Sequence, residues 1–245
     1  MPAPDPHIPP DTVAYAIGDV HGCLGPLREL EEFIREDAAR SAATRRVVVY
    51  LGDYVDRGPD SLGVVEHLIG RPLAGFESVH LMGNHERMML DFLLQPEAGQ
   101  VWLANGGTQT LVSWGVELDL GAARDAGTMS LAAEQLNRRV TPAQRRFLEG
   151  LRLSHREGGA LFVHAGIRPG VPLEAQEEED LLWIRGAFLN AGDDHGVVVI
   201  HGHTPTEKPV LRANRIGIDT GACYGGALTA VGMDSTGVRV LRARA

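Results

Sequence analysis

Five short segments concentrate the side chains that could do chemistry: GDVHG (18–22), GDYVDRG (52–58), GNHE (83–86), VHAG (163–166) and HGHTP (201–205). Together they offer Asp19, His21, Asp53, Asn84, His164 and either His201 or His203. Carboxylates, an amide oxygen and imidazoles without thiolates suit Mn²⁺, Fe²⁺ or Zn²⁺ better than Ca²⁺ or Cu⁺. Six ligands are too many for one catalytic ion with an open position. They suit two ions sharing a carboxylate, an arrangement fitted to phosphoester hydrolysis. Taken singly, each segment has a plainer reading. GNHE reads as a helix start capped by Asn84, GDYVDRG as a turn whose Asp56 and Arg57 pair on the surface, and His164 as a hydrogen-bonded histidine at a strand end. Five polar clusters at five strand ends are harder to obtain from turn chemistry.

The elements that must position these residues are legible as alternating strands and helices. Apolar, β-rich runs at 12–17, 46–51 and 78–82 read as strands. Segments 26–43, 60–70 and 86–94 read as amphipathic helices, the second with Asp60 or Ser61 near its cap. Three β-loop-α units imply a parallel sheet covered by helices, with ligands gathered beyond the strands' carboxyl ends. The middle, 99–155, reads as mostly helical, with Thr141, Pro142 and Gln144 marking one helix start. Strands are expected at 159–166, 196–203, 215–220, 227–233 and 237–243, a helix at 178–190, and a hairpin turn at DSTG (234–237). On an extended chain His201 and His203 share a face, so periodicity leaves both available to one site.

Bulk composition narrows the partners. A formal net charge of -9 without a dense Lys/Arg cluster argues against a nucleic-acid track, and no apolar run reaches the ~18 residues of a membrane span. Two cysteines, Cys23 and Cys223, make no disulfide framework, which points to a reducing, cytoplasmic setting. Residues 1–11 carry five prolines in the first ten and read as a disordered leader, not a signal peptide. Residues 12–245 read as a single catalytic domain. The acidic run at 174–180 reads as a solvated helix start, or as a contributor to substrate entry.

The first three clusters, followed by FVHAGIRP, LLWIR, HGHTP and IDTGACYGG, resemble the phosphoprotein phosphatase family of calcineurin-like metallophosphoesterases over roughly residues 12–235. Among these they look most like bacterial and phage-type serine/threonine protein phosphatases. The resemblance implies an α/β fold with central β-sheets in a sandwich core, flanked by helices. It implies two divalent ions, Mn²⁺ first and Fe or Zn next. Asp19 and His21 would hold one, Asp53 would bridge, and Asn84, His164 and His203 would complete the other. It makes His85 the general acid and Asp56 its carboxylate partner, expected to keep His85 charged. Arg57, Arg185 and Asn84 become phosphate-binding residues, and His203 is chosen over His201. The implied reaction is hydrolysis of phosphoserine or phosphothreonine by in-line attack of a hydroxide bridging the two ions. The implied substrates are phosphorylated proteins, peptides or small phosphoesters. Three rivals stand beside this reading. A symmetrical dinucleoside-tetraphosphate hydrolase shares most of the motifs, a nuclease shares fewer, and a non-catalytic phosphoprotein-binding relative would lack turnover.

Overall fold

The computed structural model describes residues 4–117 and 126–244. Part of the expected helical middle, 118–125, lies outside the described residues. In chain order the elements are β1 (Thr12–Ile17), α1 (Leu24–Arg40), β2 (Arg45–Tyr50), α2 (Ser61–Ile69), β3 (Glu77–His80) and α3 (Asn84–Leu94). Then come α4 (Gly99–Trp102), α5 (Thr108–Ser113), α6 (Ala126–Arg139), α7 (Pro142–Glu149), β4 (Ser154–Glu157) and β5 (Ala160–Val163). The chain closes with α8 (Glu178–Trp183), α9 (Gly186–Leu189), β6 (Val198–His201), β7 (Val210–Arg212), β8 (Arg215–Gly217), β9 (Ala227–Asp234) and β10 (Gly237–Arg244).

The strands form two five-stranded mixed sheets, in the orders β10-β9-β1-β2-β3 and β4-β5-β6-β8-β7. The first three strands are parallel, as the β-loop-α reading requires. What that reading did not contain is the second sheet, which covers the face opposite α1. Residue alternation along β1 records the two coverings. Val13, Tyr15 and Ile17 pack with Leu27, Leu30 and Ile34 of α1. Ala14 and Ala16 pack between the sheets against Phe162, Ile200 and Ile216. A strand covered on both faces is apolar throughout, so TVAYAI carries no polar alternation. The architecture is the α/β sandwich expected.

Several boundaries differ, each for a local reason. The strands expected at 159–166 and 215–220 stop at Val163 and Gly217, because the polar residues beyond leave the sheets for the site. The edge strands β4 and β7, four and three residues long, lie outside the strand expectations. The helix expected at 178–190 breaks at Ile184 and Arg185, whose backbone is extended (ψ 139°) and non-helical (φ -130°, ψ -98°). Segment 1–11 is not a disordered leader over its described part. Ile8 is buried and belongs to the apolar cluster that includes Ala14, Val47 and Phe162.

Candidate dinuclear metal centre

All five clusters sit just past strand ends and converge on Asp53. His21 Nδ1 lies 2.7 Å from the Val55 carbonyl, and His164 Nδ1 lies 2.9 Å from the Leu51 carbonyl. A carbonyl only accepts, so each ring carries its proton on Nδ1 and bares Nε2. The bare atoms face carboxylate: His21 Nε2 is 3.4 Å from Asp53 Oδ2, and His164 Nε2 is 3.4 Å from Asp53 Oδ1. His164 Nε2 also lies 2.9 Å from Asn84 Oδ1. His203 Nε2 is buried with no partner. Lone pairs facing one another in a buried site repel, and a cation between them reverses the sign. One positive charge already stands there, the Arg57 guanidinium, whose Nη1 donates to His21 Nε2 at 2.6 Å.

Among the described residues two groups of ligand atoms lie mutually within 4.8 Å: His21, Asp53 and His85, and Asp53, His164 and His203. Asp53 belongs to both, one oxygen turned to each. The donor set thus fits two divalent ions with a shared carboxylate. Asp19 stands outside both groups. Its carboxylate accepts the His203 N–H at 3.0 and 3.1 Å, so it fixes the loop that delivers His203. The carboxyl groups and imidazoles of these two groups, and Asp19, are pushed toward their neutral forms. Burial, then neighbouring carboxylates, drives Asp19 and Asp53 well above the usual range. Burial likewise holds His21 well below its ordinary value, His164 at about 3 and His203 at about 2.

His85 and Asp56 form a second, adjoining unit. His85 Nδ1 lies 2.6 Å from Asp56 Oδ2, and both side chains are enclosed. Asp56 also accepts from Trp102 Nε1 (2.8 Å) and Thr110 Oγ1 (2.5 Å). Its backbone N–H donates to Ser61 Oγ and Thr110 Oγ1. Asp56 is therefore not half of a surface pair with Arg57. The expected charging of His85 by Asp56 is outweighed by burial, which lowers His85 to about 3 and raises Asp56 to about 7. Of the expected phosphate-binding residues, Arg57 and Asn84 border this unit, and exposed Arg185 reaches Thr204 Oγ1 at 3.4 Å.

Backbone strain marks the same residues. Of the seven non-glycine residues with positive φ among those described, five are His21, Asp53, Asp56, Arg57 and His203. L-residues rarely adopt this region, and such strain persists only where surroundings enforce it. His203 (φ 64°) and Arg57 (φ 66°) each centre a three-residue turn, closed by Thr204 N–H to Gly202 O and by Gly58 N–H to Asp56 O, both 2.7 Å. His203 thereby leaves the strand alternation that placed it beside His201. His201 stays with the sheet, its ring edge-on to Phe188 at 5.1 Å. Gly202 is required by closeness, since a Cβ there would lie 1.9 Å from Asp19 Oδ1.

Other supports lie outside the residues expected to act at the site. Glu86 accepts the N–H groups of Asp53, Tyr54, Val55 and Gly83 at 2.7–3.1 Å, and so pins the 53–55 loop to the start of α3. The cap of α3 is accordingly Gly83, with Asn84 the first helical residue. Trp102 and Thr110 come from the helical middle, 46 and 54 residues from Asp56. Asp219, just past β8, is a further buried carboxylate beside Asp19. The acidic run turns out partly structural: Asp180 is buried and paired with Arg168. Cys23 and Cys223 are free, and burial raises both thiols, Cys223 to about 12.

A family model described as calcineurin-like phosphoesterase matches residues 13–229, spanning every cluster above. The chain belongs to this family. It is 30% identical over 223 residues to "Serine/threonine-protein phosphatase 1" of Salmonella typhimurium, covering 88% of this chain and 89% of that one. It is 25% identical over 234 residues to "Bis(5'-nucleosyl)-tetraphosphatase PrpE [asymmetrical]" of Halalkalibacterium halodurans, covering 88% and 87%. Among solved structures, a protein serine/threonine phosphatase of Saccharomyces cerevisiae superposes with a TM-score of 0.60 over 96% of this chain and 81% of that one. Its 14% identity speaks to the fold alone. As a calcineurin-like phosphoesterase the protein is a hydrolase of phosphoric esters. No helix among the described residues is long and apolar enough to cross a membrane.

Proposed function

We propose that the protein removes phosphate from phosphoserine and phosphothreonine in proteins or peptides. The observation that carries this reading is the enclosed His85–Asp56 pair. A serine or threonine alkoxide is a poor leaving group and needs a proton as its bond to phosphorus breaks. The phosphate released from a phosphoanhydride needs much less help. A carboxylate braced by Trp102 and Thr110 to hold an imidazole suits the first task.

Asp19, His21 and Asp53 would hold one ion, and Asp53, Asn84, His164 and His203 the other, with Mn²⁺ the preferred ion. Ions held there would neutralise phosphoryl oxygens and lower the pKa of water that attacks phosphorus. The remaining work belongs to the chain. Arg57, a planar fork on a strained turn beside His21, matches two phosphoryl oxygens at once. Arg185, exposed at the rim, supplies a second guanidinium. Asn84 donates its amide to phosphate when its oxygen faces a metal. Asp56 holds His85 through Nδ1, which leaves Nε2 to carry the departing proton. The pair protonates the alkoxide only when it holds two protons, one in the Nδ1–Oδ2 contact and one on Nε2. We assign the protein to the cytoplasm, a setting its two free thiols favour.

A second reading, hydrolysis of a dinucleoside tetraphosphate, is favoured by the relative named for the asymmetrical reaction. One parallel assay separates the two: the Mn²⁺-loaded protein against a phosphothreonine peptide, diadenosine tetraphosphate and p-nitrophenyl phosphate. Faster turnover of the peptide than of the dinucleotide supports the proposal. The reverse order overturns it, and no turnover of any of the three would indicate a phosphoprotein-binding role.

A further inference from the structure

His201 ends β6, two residues before His203. Its ring is 2% exposed and lies between two polar partners: Arg215 Nη1 at 3.3 Å from Nε2, and the Gly202 carbonyl at 3.1 Å from Nδ1. A guanidinium only donates, so Nε2 must accept and the ring proton sits on Nδ1, donated to Gly202 O. Arg215 is itself 5% exposed and has no carboxylate within ion-pair distance among the described residues. Its Nη2 donates to the Leu189 carbonyl at 3.2 Å. A buried arginine without a counter-ion is unusual, and among the described residues its guanidinium donates to this imidazole and one α9 carbonyl.

The Gly202 carbonyl is the acceptor that closes the strained turn at His203. The N–H of Gly202 donates to His164 O at 2.8 Å, and the N–H of His203 donates to Asp19. Two successive peptides therefore tie together three candidate ligands, and the carbonyl of the second is held from behind by His201. We propose that Arg215 and His201 form a buried brace for this turn, so that His201 is a positioning residue for His203. The turn with positive φ at its centre is a sparsely populated conformation. A second donor on its carbonyl makes that conformation the preferred one before any ion arrives. Phe188 of α9 packs against the ring in a T-shaped contact, and Gly217 of β8 leaves room for Cε1 and Nε2, where a Cβ would be 3.0 Å away.

The inference rests on the reading of His203 as a metal ligand, and the test is built so that the two can fail separately. Mn²⁺ is titrated into the metal-free full-length chain and free ion is followed by electron paramagnetic resonance, which reads site number and affinity without turnover. kcat and KM for p-nitrophenyl phosphate are measured alongside. Residues that orient a ligand from behind are worth roughly 10–100-fold in metal affinity. His201→Ala should weaken one of two Mn²⁺ sites by about that factor. His201→Asn, whose amide can occupy the Nδ1 position, should recover most of it. Arg215→Met leaves the ring in place without its donor and should show a loss of the same sign, and it decides the matter should His201→Ala not fold. Unchanged Mn²⁺ affinity in His201→Ala and Arg215→Met overturns the brace, as do equal losses in His201→Ala and His201→Asn, which would mean volume alone matters. His203→Ala is the reference. If it keeps both ions, the ligand reading falls; if it loses one while the other variants lose none, only the brace falls.

Discussion

Replacing Asp56 by Asn isolates the charge on the partner of His85 while keeping its shape. The carboxamide oxygen can take the side facing His85 and Trp102, and its NH₂ can take the side facing Thr110, whose hydroxyl turns from donor to acceptor. Folding is then largely preserved, and the change falls on the bond to Nδ1. Hydrogen bonds to charged groups contribute about 1.5–3 kcal/mol and neutral ones about 0.5–1.5. The swap therefore withdraws roughly 1–2 kcal/mol from the state in which His85 carries two protons. At 1.36 kcal/mol per decade of rate, that is about a 5–30-fold loss in kcat. The loss should appear on a phosphoserine peptide, whose leaving oxygen needs the proton. It should be small, within about 3-fold, on p-nitrophenyl phosphate, whose leaving group is stable as an anion. The assay is kcat for both substrates at saturating Mn²⁺, with urea unfolding as the folding control. Equal losses on the two substrates would refute the assignment of proton donation to this pair and point to a positional role alone.

Three other perturbations follow from particular contacts. Glu86→Gln keeps one acceptor oxygen but turns an NH₂ toward two of the four N–H groups that Glu86 satisfies, so unfolding in urea should be easier by about 2–6 kcal/mol. A change below 1 kcal/mol would mean the loop is pinned elsewhere. Gly202→Ala places a methyl 1.9 Å from Asp19 Oδ1, so Mn²⁺ binding should fall while far-ultraviolet dichroism stays native; normal Mn²⁺ uptake would show that the loop yields. His80 lies stacked on Tyr50 at 4.9 Å, and burial lowers its pKa from 6.5 to about 4. A depressed histidine stabilises the fold fully above pH 6.5 and loses that contribution as pH falls from 6.5 through 4. In His80→Phe the stability of the metal-free chain should decline less over this range than in the parent, and parallel decline would exclude His80 as the cause.

The site was legible in the sequence where chemistry is local, and obscure where it depends on distant packing. GDVHG, GDYVDRG and GNHE each place glycine and ligand together because the chain must turn sharply at a strand end, and one segment contains both. The roles of Trp102, Thr110 and Arg215 were not legible. Each reaches the site from a different element, and nothing in WLANGGTQTL or NRIGI marks a side chain as facing Asp56 or His201. The same holds for the sheets. Parallel β1, β2 and β3 follow from the alternating β-loop-α order, yet β9 joins that sheet beside β1 from more than 200 residues away. The separation of His201 from His203 was illegible for a different reason. Side-chain alternation holds only while a strand lasts, and β6 ends at His201.

Strain and unpaired lone pairs together explain why this site should respond to ions more than to any single side chain. Asp53 and four residues near it adopt positive φ, and the bare nitrogens of His21 and His164 face the two oxygens of one buried carboxylate. In the metal-free chain these features all oppose folding. Each strained residue alone costs on the order of 1–3 kcal/mol, against a net stability of about 5–15 kcal/mol for a whole domain. The two-sheet core is what can hold them, because β1, β5 and β6 are buried on both faces and do not yield. Ions that bind only the folded state then stabilise by mass action, about 2.7 kcal/mol at a hundredfold excess over the dissociation constant. The second sheet thus does more than cover the first. It carries His164 and His203 to Asp53, and without it the second group of candidate ligands would keep only Asp53 and Asn84.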